Sequence, residues 1–80
     1  MVISKKDVFA LYLCDLSLKS LKMDKRLSIQ RTINESYKDS GKEHYSVDLT
    51  GKHISLLYDG KEVLNLGVKN WRDRIKNLPD

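Results

Sequence analysis

The sequence predicts an α+β fold made of an αα-hairpin, a three-stranded antiparallel β-meander and a short C-terminal helix. Apolar residues recur at helical spacing in the first half of the chain, and from His44 they occupy every second position. Turn sequences at 50–51 ("TG") and 59–60 ("DG") divide the alternating part into three strands. Because 80 residues are enough for one core, we expect a single compact domain over residues 1–80.

The first helix is predicted from its N-terminus. Ser4 and Asp7 have the spacing of a capping box, in which each side chain satisfies a backbone N–H that lacks a helical partner. Ile3 and Val8 are placed to form the hydrophobic staple that accompanies such a box. The later stretch "DLSLKSL" also alternates, which leaves a strand open there, but we predict that the helix continues through it.

Apolar residues cover more of this helix than one buried face requires. One apolar face is formed by Leu11, Cys14, Leu18 and Leu21. Three further apolar residues widen this face: Phe9, Leu13 and Leu16. Such an excess is typical of a central core helix or of a helix that meets a partner or a second copy of the chain.

The second helix is predicted to begin at Asp24, which is a suitable N-cap residue. Ile29, Ile33 and Tyr37 then recur every four residues and form a narrow apolar stripe. Gly41 fits the C′ position, where a positive φ is often required.

The first hairpin is predicted from the turn at 50–51. If these two residues form the whole loop, Val47 lies opposite Ile54 on the core face. The same register sets Asp48 opposite His53 on the outer face.

The third strand has two registers. A two-residue loop at 59–60 sets Leu56 opposite Val63, whereas a three-residue loop with a glycine bulge sets Ile54 opposite Leu64. We prefer the second register, because it keeps the leucines at positions 64 and 66 on the core face.

The last element reads as a short helix that begins with an N-cap pair, Asn70 and Asp73, and ends before Pro79. Its apolar face is formed by Val68, Trp71, Ile75 and Leu78.

Composition excludes several classes of protein. The single cysteine, Cys14, excludes an internal disulfide and a multi-cysteine zinc site. No apolar stretch is long enough to span a bilayer, and we find no signal-peptide cleavage site, so we expect a cytoplasmic, unprocessed protein without membrane insertion. The net charge of +4 is mildly basic, with both signs interspersed.

The sequence contains no catalytic motif, and we expect a protein that is not an enzyme and uses no cofactor. Asp48 and His53 could form an acid–base pair, but a hairpin face offers no substrate pocket, so we interpret them as a cross-strand surface pair. With His44 they make only an incomplete zinc site, and we predict no metal. A small enzyme would need one of these residues in a pocket formed by another chain.

We therefore expect a protein partner, with a homodimer as an open alternative. The contact residues that we predict lie on the last helix and on the outer face of the sheet: Trp71, Arg72, Arg74, Lys69 and Lys76, and Asp48, His53 and Leu57. Trp and Arg are enriched at binding hot spots, although the position of Trp71 beside Ile75 also predicts a core anchor.

In its small size and its abundance of Lys, Asn and Tyr, the whole chain resembles the small accessory proteins of large tailed phages. This resemblance implies a regulator that binds and inhibits one larger phage or host protein, for example in lysis timing, transcription or host defence.

The alternative is a small basic nucleic-acid-binding protein. The order helix, helix, three strands, helix is similar to that of the histone-like bacterial DNA-bending family. That family has a glycine-aromatic motif and a long basic arm between its later strands, where this chain has only "YDGK". Phosphate contacts would then come from the basic residues of the last helix.

Overall fold

The computed structural model describes residues 3–79 and confirms the α+β class. The elements, in chain order, are α1 (Lys5–Leu16), a 3₁₀ turn (Leu18–Ser20), α2 (Met23–Asp39), β1 (Tyr45–Asp48), β2 (Ser55–Tyr58), β3 (Lys61–Asn65), α3 (Trp71–Arg74) and a second 3₁₀ turn (Ile75–Asn77). The three strands form one antiparallel sheet in the order β1-β2-β3. The core lies between the inner face of this sheet and the helices.

The predicted start of α1 is confirmed. The N–H of Asp7 donates to Ser4 Oγ at 3.3 Å, and the N–H of Ser4 donates to Asp7 Oδ2 at 3.0 Å. Ile3 and Val8 are both fully buried, as the hydrophobic staple requires. The helix is nevertheless shorter than predicted, because it ends at Leu16.

Arg26 of α2 holds the connection that follows α1. Its guanidinium donates to the backbone oxygens of Leu18 at 2.9 Å, Leu21 at 3.2 Å and Gly51 at 3.0 Å. Two of these carbonyl groups lie in the connection between α1 and α2, and the third lies in the loop between β1 and β2. The connection is therefore a compact turn that places Leu18 in the core.

α2 has the predicted apolar stripe and C-terminus. Tyr37 is buried, and Ile29 and Ile33 pack against the core. Gly41 has a φ of +77° just beyond the helix, as predicted for C′. The predicted start at Asp24 is wrong: the N-cap is Lys22, without a side-chain bond.

The predicted register of β1 and β2 is wrong by two residues. Val47 pairs with Leu56 instead of Ile54, and Asp48 pairs with Ser55 instead of His53. The reason is local, because Asp48 Oδ1 accepts both the N–H (2.9 Å) and the hydroxyl (2.6 Å) of the residue two positions on. This Asx-turn opens a longer loop while leaving each residue on its predicted face.

β3 follows neither predicted register. The turn at Asp59-Gly60 has two residues, both with positive φ (50° and 82°), as expected for a type I′ turn. A bulge then falls at Val63, so that Leu64 pairs with Leu56 and not with Ile54. The prediction that the leucines at 64 and 66 are core residues is confirmed.

α2 protects the free edge of β1. Gln30 Oε1 accepts the N–H of Leu49 at 2.9 Å, and Asn34 Oδ1 accepts the N–H of Val47 at 2.8 Å. The two side-chain amides are four residues apart on one helix and therefore lie side by side along the strand. They accept hydrogen bonds from backbone N–H groups that could otherwise pair with another strand.

α3 is a single turn that continues into a 3₁₀ turn. Three of the four residues of its predicted apolar face, Trp71, Ile75 and Leu78, are buried, whereas Val68 is half-buried and precedes the helix. The predicted side-chain cap is wrong, since Asn70 makes no side-chain cap bond. The hydroxyl of Tyr45 donates to the carbonyl of Pro79 and so fixes the chain after this element.

Candidate functional site

Three large apolar side chains of α1 lie in solvent. Phe9, Leu13 and Leu16 are 51%, 53% and 64% exposed. Their spacing of four and three residues places them along one side of the helix. Val8 and Leu11 point into the core instead. We call Phe9, Leu13 and Leu16 the α1 stripe.

An aromatic cluster extends the α1 stripe onto α3. The ring centroid of Tyr12 lies 6.0 Å from that of Phe9 and 5.1 Å from that of Trp71. The guanidinium of Arg72 lies 5.6 Å from the centroid of Tyr12 and 5.2 Å from that of Trp71. Since a guanidinium over an aromatic face is attracted by the ring's quadrupole, Arg72 is held beside the stripe instead of extending freely into water.

Two shallow concavities border the α1 stripe. The first, of about 470 Å³, is lined by Lys5, Lys6, Phe9, Ala10 and Leu13. The second, of about 250 Å³, lies between α1 and α3 and is lined by Lys5, Phe9, Trp71, Arg72 and Ile75. Of the residues between 3 and 79 that line them, every charged one is basic. We call Lys5, Lys6 and Arg72 the basic rim.

The residues predicted on the last helix separate into two groups. Trp71 is only 6% exposed, so it is a core anchor whose ring also lines the second concavity. Arg72 belongs to the basic rim, whereas Lys69, Arg74 and Lys76 are exposed elsewhere on this segment. Partner contact by these residues stays a prediction.

The predicted pair of Asp48 and His53 does not form. Asp48 is bonded to Thr50, whose hydroxyl and N–H lower the pKa of the carboxyl. His53 turns toward α1, where its Nδ1 lies 3.0 Å from Oδ2 of the buried Asp15. The same carboxylate accepts the N–H of Ile54 at 2.7 Å. This contact joins α1 to the sheet, so it has a structural explanation.

The outer face of the sheet is polar around Leu57, which is half-buried. The Ser55 hydroxyl donates to Glu62 Oε1 at 2.6 Å, and Asn65 Nδ2 lies 3.2 Å from each of these two oxygens. Hydrogen bonds from Ser55 and Asn65 lower the pKa of the Glu62 carboxyl. These groups satisfy one another, and contact between a partner and Leu57 stays a prediction.

The histidines are bonded to different carboxylates. His44 Nδ1 lies 2.8 Å from Asp59 Oδ1, and the His44 ring stacks on Tyr58 with the centroids 5.5 Å apart. The hydrogen bond to Asp59 raises the pKa of His44 above its ordinary value. Within residues 3–79, no group of three His, Cys, Asp or Glu side chains could hold a metal ion.

The roles of Tyr12 and Asp15 were not predicted from the sequence. Asp15 follows Val8 by seven residues and Leu11 by four, and an acidic residue at such a position is a signal of a buried polar contact. Tyr12 gave no comparable signal, because Trp71 and Arg72 reach it from α3, far away in the sequence.

Comparison with models of protein families, with curated proteins and with solved structures finds no significant match. Over the described part of the chain, no helix has the length and apolar character needed to cross a membrane. The function is therefore inferred from the chemistry of the surface.

Proposed function

We propose that the chain is a small, non-enzymatic, cytoplasmic regulator that binds and inhibits a larger protein of a phage or its host. Lysis, transcription and host defence are the processes in which such a regulator would act. The observation that carries the proposal is the exposure of the α1 stripe beside Arg72 and the aromatic cluster.

The α1 stripe has the character of a protein-binding surface. Single exposed apolar residues are ordinary, but three large ones aligned on one helix face form a continuous patch. Aromatic residues and Arg, which are enriched at hot spots, adjoin this patch. Burial of the stripe against a partner would favour binding by about 25 cal/mol for each Å² of apolar surface that is removed from water.

A nucleic-acid interface would use the basic residues of the last segment, including Arg72 of the basic rim, instead of the α1 stripe. Such interfaces are polar and strongly basic, and their affinity falls steeply with salt. The exposed residues of the last segment offer this chemistry: Lys69, Arg72, Arg74 and Lys76. Nucleic-acid binding is accordingly the second candidate, and the same experiment tests it.

The test is a pull-down with the tagged chain from native lysate, split into nuclease-treated and untreated halves and eluted with a salt gradient. Leu13→Gln removes the centre of the α1 stripe. Leu27→Gln is the matched control, because Leu27 is 45% exposed but lies on α2. Captured proteins are then purified, and their own activity is measured with and without the chain.

We expect one protein to be retained at high salt in both halves, to be lost with Leu13→Gln and kept with Leu27→Gln, and to be inhibited by the wild-type chain. Equal retention by both variants would overturn the assignment to the α1 stripe. Loss of all binding after nuclease treatment would favour the nucleic-acid function.

A further inference from the structure

We propose that the α1 stripe binds an amphipathic helical segment of the partner, in which apolar residues at helical spacing are flanked by Asp or Glu. This inference rests on the proposed function and adds the chemistry of the partner. It follows from the charges around the stripe, the shape of the two concavities and the size of the patch.

The acidic residues of α1 are already engaged within the fold. Asp7 Oδ2 accepts the N–H of Ser4 at 3.0 Å and lies 3.2 Å from Lys42 Nζ. Asp15 is buried and bonded to Ile54. Among the described residues that line the two concavities, the basic rim therefore meets no carboxylate. A complementary partner supplies acidic side chains beside its apolar ones.

The shape of the surface fits a helix. Phe9 and Leu16 are seven residues apart, so the α1 stripe is about 10 Å long, or two helical turns. Ala10 leaves a recess next to the Phe9 ring, and a second recess lies between Phe9 and Trp71. Apolar side chains three or four residues apart on a helix could enter the two recesses, which is the helix-in-groove mode of recognition.

The size and charge of the patch disfavour a second copy of the chain. The three stripe side chains expose together roughly 300 Å², taking about 200 Å² for a large side chain, whereas a stable interface buries about 800 Å² on each partner. A second copy that meets the first through the same surface would also set Lys5 and Lys6 against identical cations, with no carboxylate among the described lining residues. A short acidic segment needs less area and neutralises the basic rim.

The experiment selects binders from a displayed library of random peptides of about 16 residues, enough for more than four helical turns. The full chain is immobilised, and enriched peptides that lack Trp are then synthesised. Their affinity is measured through the fluorescence of Trp71, the only tryptophan, which lines the second concavity.

We expect enriched peptides to combine apolar residues at helical spacing with flanking Asp or Glu. Leu13→Gln should weaken their binding by about tenfold or more. Arg72→Gln should weaken binding at low salt and reduce its salt dependence, since it removes one charge of the basic rim. Leu27→Gln and Arg31→Gln, two exposed positions on α2, are the controls and should leave affinity unchanged.

The inference would be overturned if no peptide were enriched or if the enriched peptides lacked acidic residues. It would also be overturned if Leu13→Gln left their affinity unchanged. Two further measurements test other occupants: flotation with phosphatidylglycerol vesicles and sedimentation of the chain alone. Vesicle binding that is lost with Leu13→Gln would assign the stripe to a membrane surface. Self-association that is lost with Leu13→Gln would assign it to a dimer. If the pull-down finds a stripe-dependent partner that binds through a neutral or basic surface, this inference fails while the proposed function stands.

Discussion

The carboxylate of Asp15, near the end of α1, accepts the backbone N–H of Ile54 at 2.7 Å across 39 residues of sequence. The acceptor is buried, and its second oxygen lies 3.0 Å from Nδ1 of His53. Because a buried carboxylate is tolerated only when it is well bonded, this contact fixes where α1 meets the start of β2. The position of the α1 stripe therefore depends on it.

Asp15→Ala should destabilise the protein by about 1–3 kcal/mol, because it leaves the Ile54 N–H without a partner in a buried position. Asp15→Asn keeps an acceptor oxygen, so we expect a smaller loss of stability than with Asp15→Ala. Urea denaturation of both variants measures the difference. Asp24→Ala, at an exposed position, is the control. Equal, small losses for both Asp15 variants would mean that the N–H finds another acceptor.

Asn34→Ala and Gln30→Ala should each leave one backbone donor without its partner, at Val47 in β1 or at Leu49 just after it. We expect faster hydrogen exchange at Val47 in the first variant and at Leu49 in the second, with a loss of about 1 kcal/mol in each. Residue-resolved exchange by NMR makes the comparison. If both amides accelerate equally in both variants, the effect is global and the local assignment is wrong.

Gly67→Ala should disturb the contact between His53 and Asp15. A Cβ at position 67 would lie 2.5 Å from Cδ2 and 2.8 Å from Cγ of His53, so the ring would have to move. We expect a loss of about 1–3 kcal/mol, as for other overpacked sites. In a His53→Ala background the same change should be milder. A double-mutant cycle tests this, and strict additivity would contradict it.

Tyr37 should make the fold sensitive to high pH. Burial raises the pKa of Tyr37 to about 12, and the charge of Asp7 acts in the same direction. The folded pKa lies above the ordinary value of about 10, so the contribution to stability is complete below pH 10 and is lost as pH rises toward 12. Tyr37→Phe should flatten the stability curve between pH 10 and 12. Parallel urea-denaturation curves for the two proteins across this range would contradict the argument.

Sequence predicts best the features that are decided locally. The capping box of Ser4 and Asp7 needs only neighbouring residues and forms as predicted. The predicted turn at Asp59-Gly60 is also present, but with two residues instead of the preferred three-residue loop. The apolar excess on α1 was also predictable, but which of its residues stay exposed depends on where the other helices dock.

The register errors have a physical cause. A shift of two residues between β1 and β2 leaves every side chain on the same face, so the apolar alternation does not distinguish the registers. The choice is made by the Asx-turn at Asp48. The bulge at Val63 and the contact between Asp15 and Ile54 likewise depend on residues that meet only in the folded chain.

Contacts between residues close in sequence and contacts between residues far apart in sequence should form at different stages of folding. The turn at Asp59-Gly60 closes the hairpin of β2 and β3 over a very short loop, whereas the contact of Asp15 with Ile54 closes 39 residues. Because loop closure becomes entropically more costly with length, we expect the hairpin to form early and α1 to dock late. Conservative variants in the hairpin should then give higher φ-values than variants in α1, and the reverse pattern would contradict this order. Before α1 docks, the chain would have its sheet but no ordered α1 stripe. A partner would therefore bind only molecules that have finished folding.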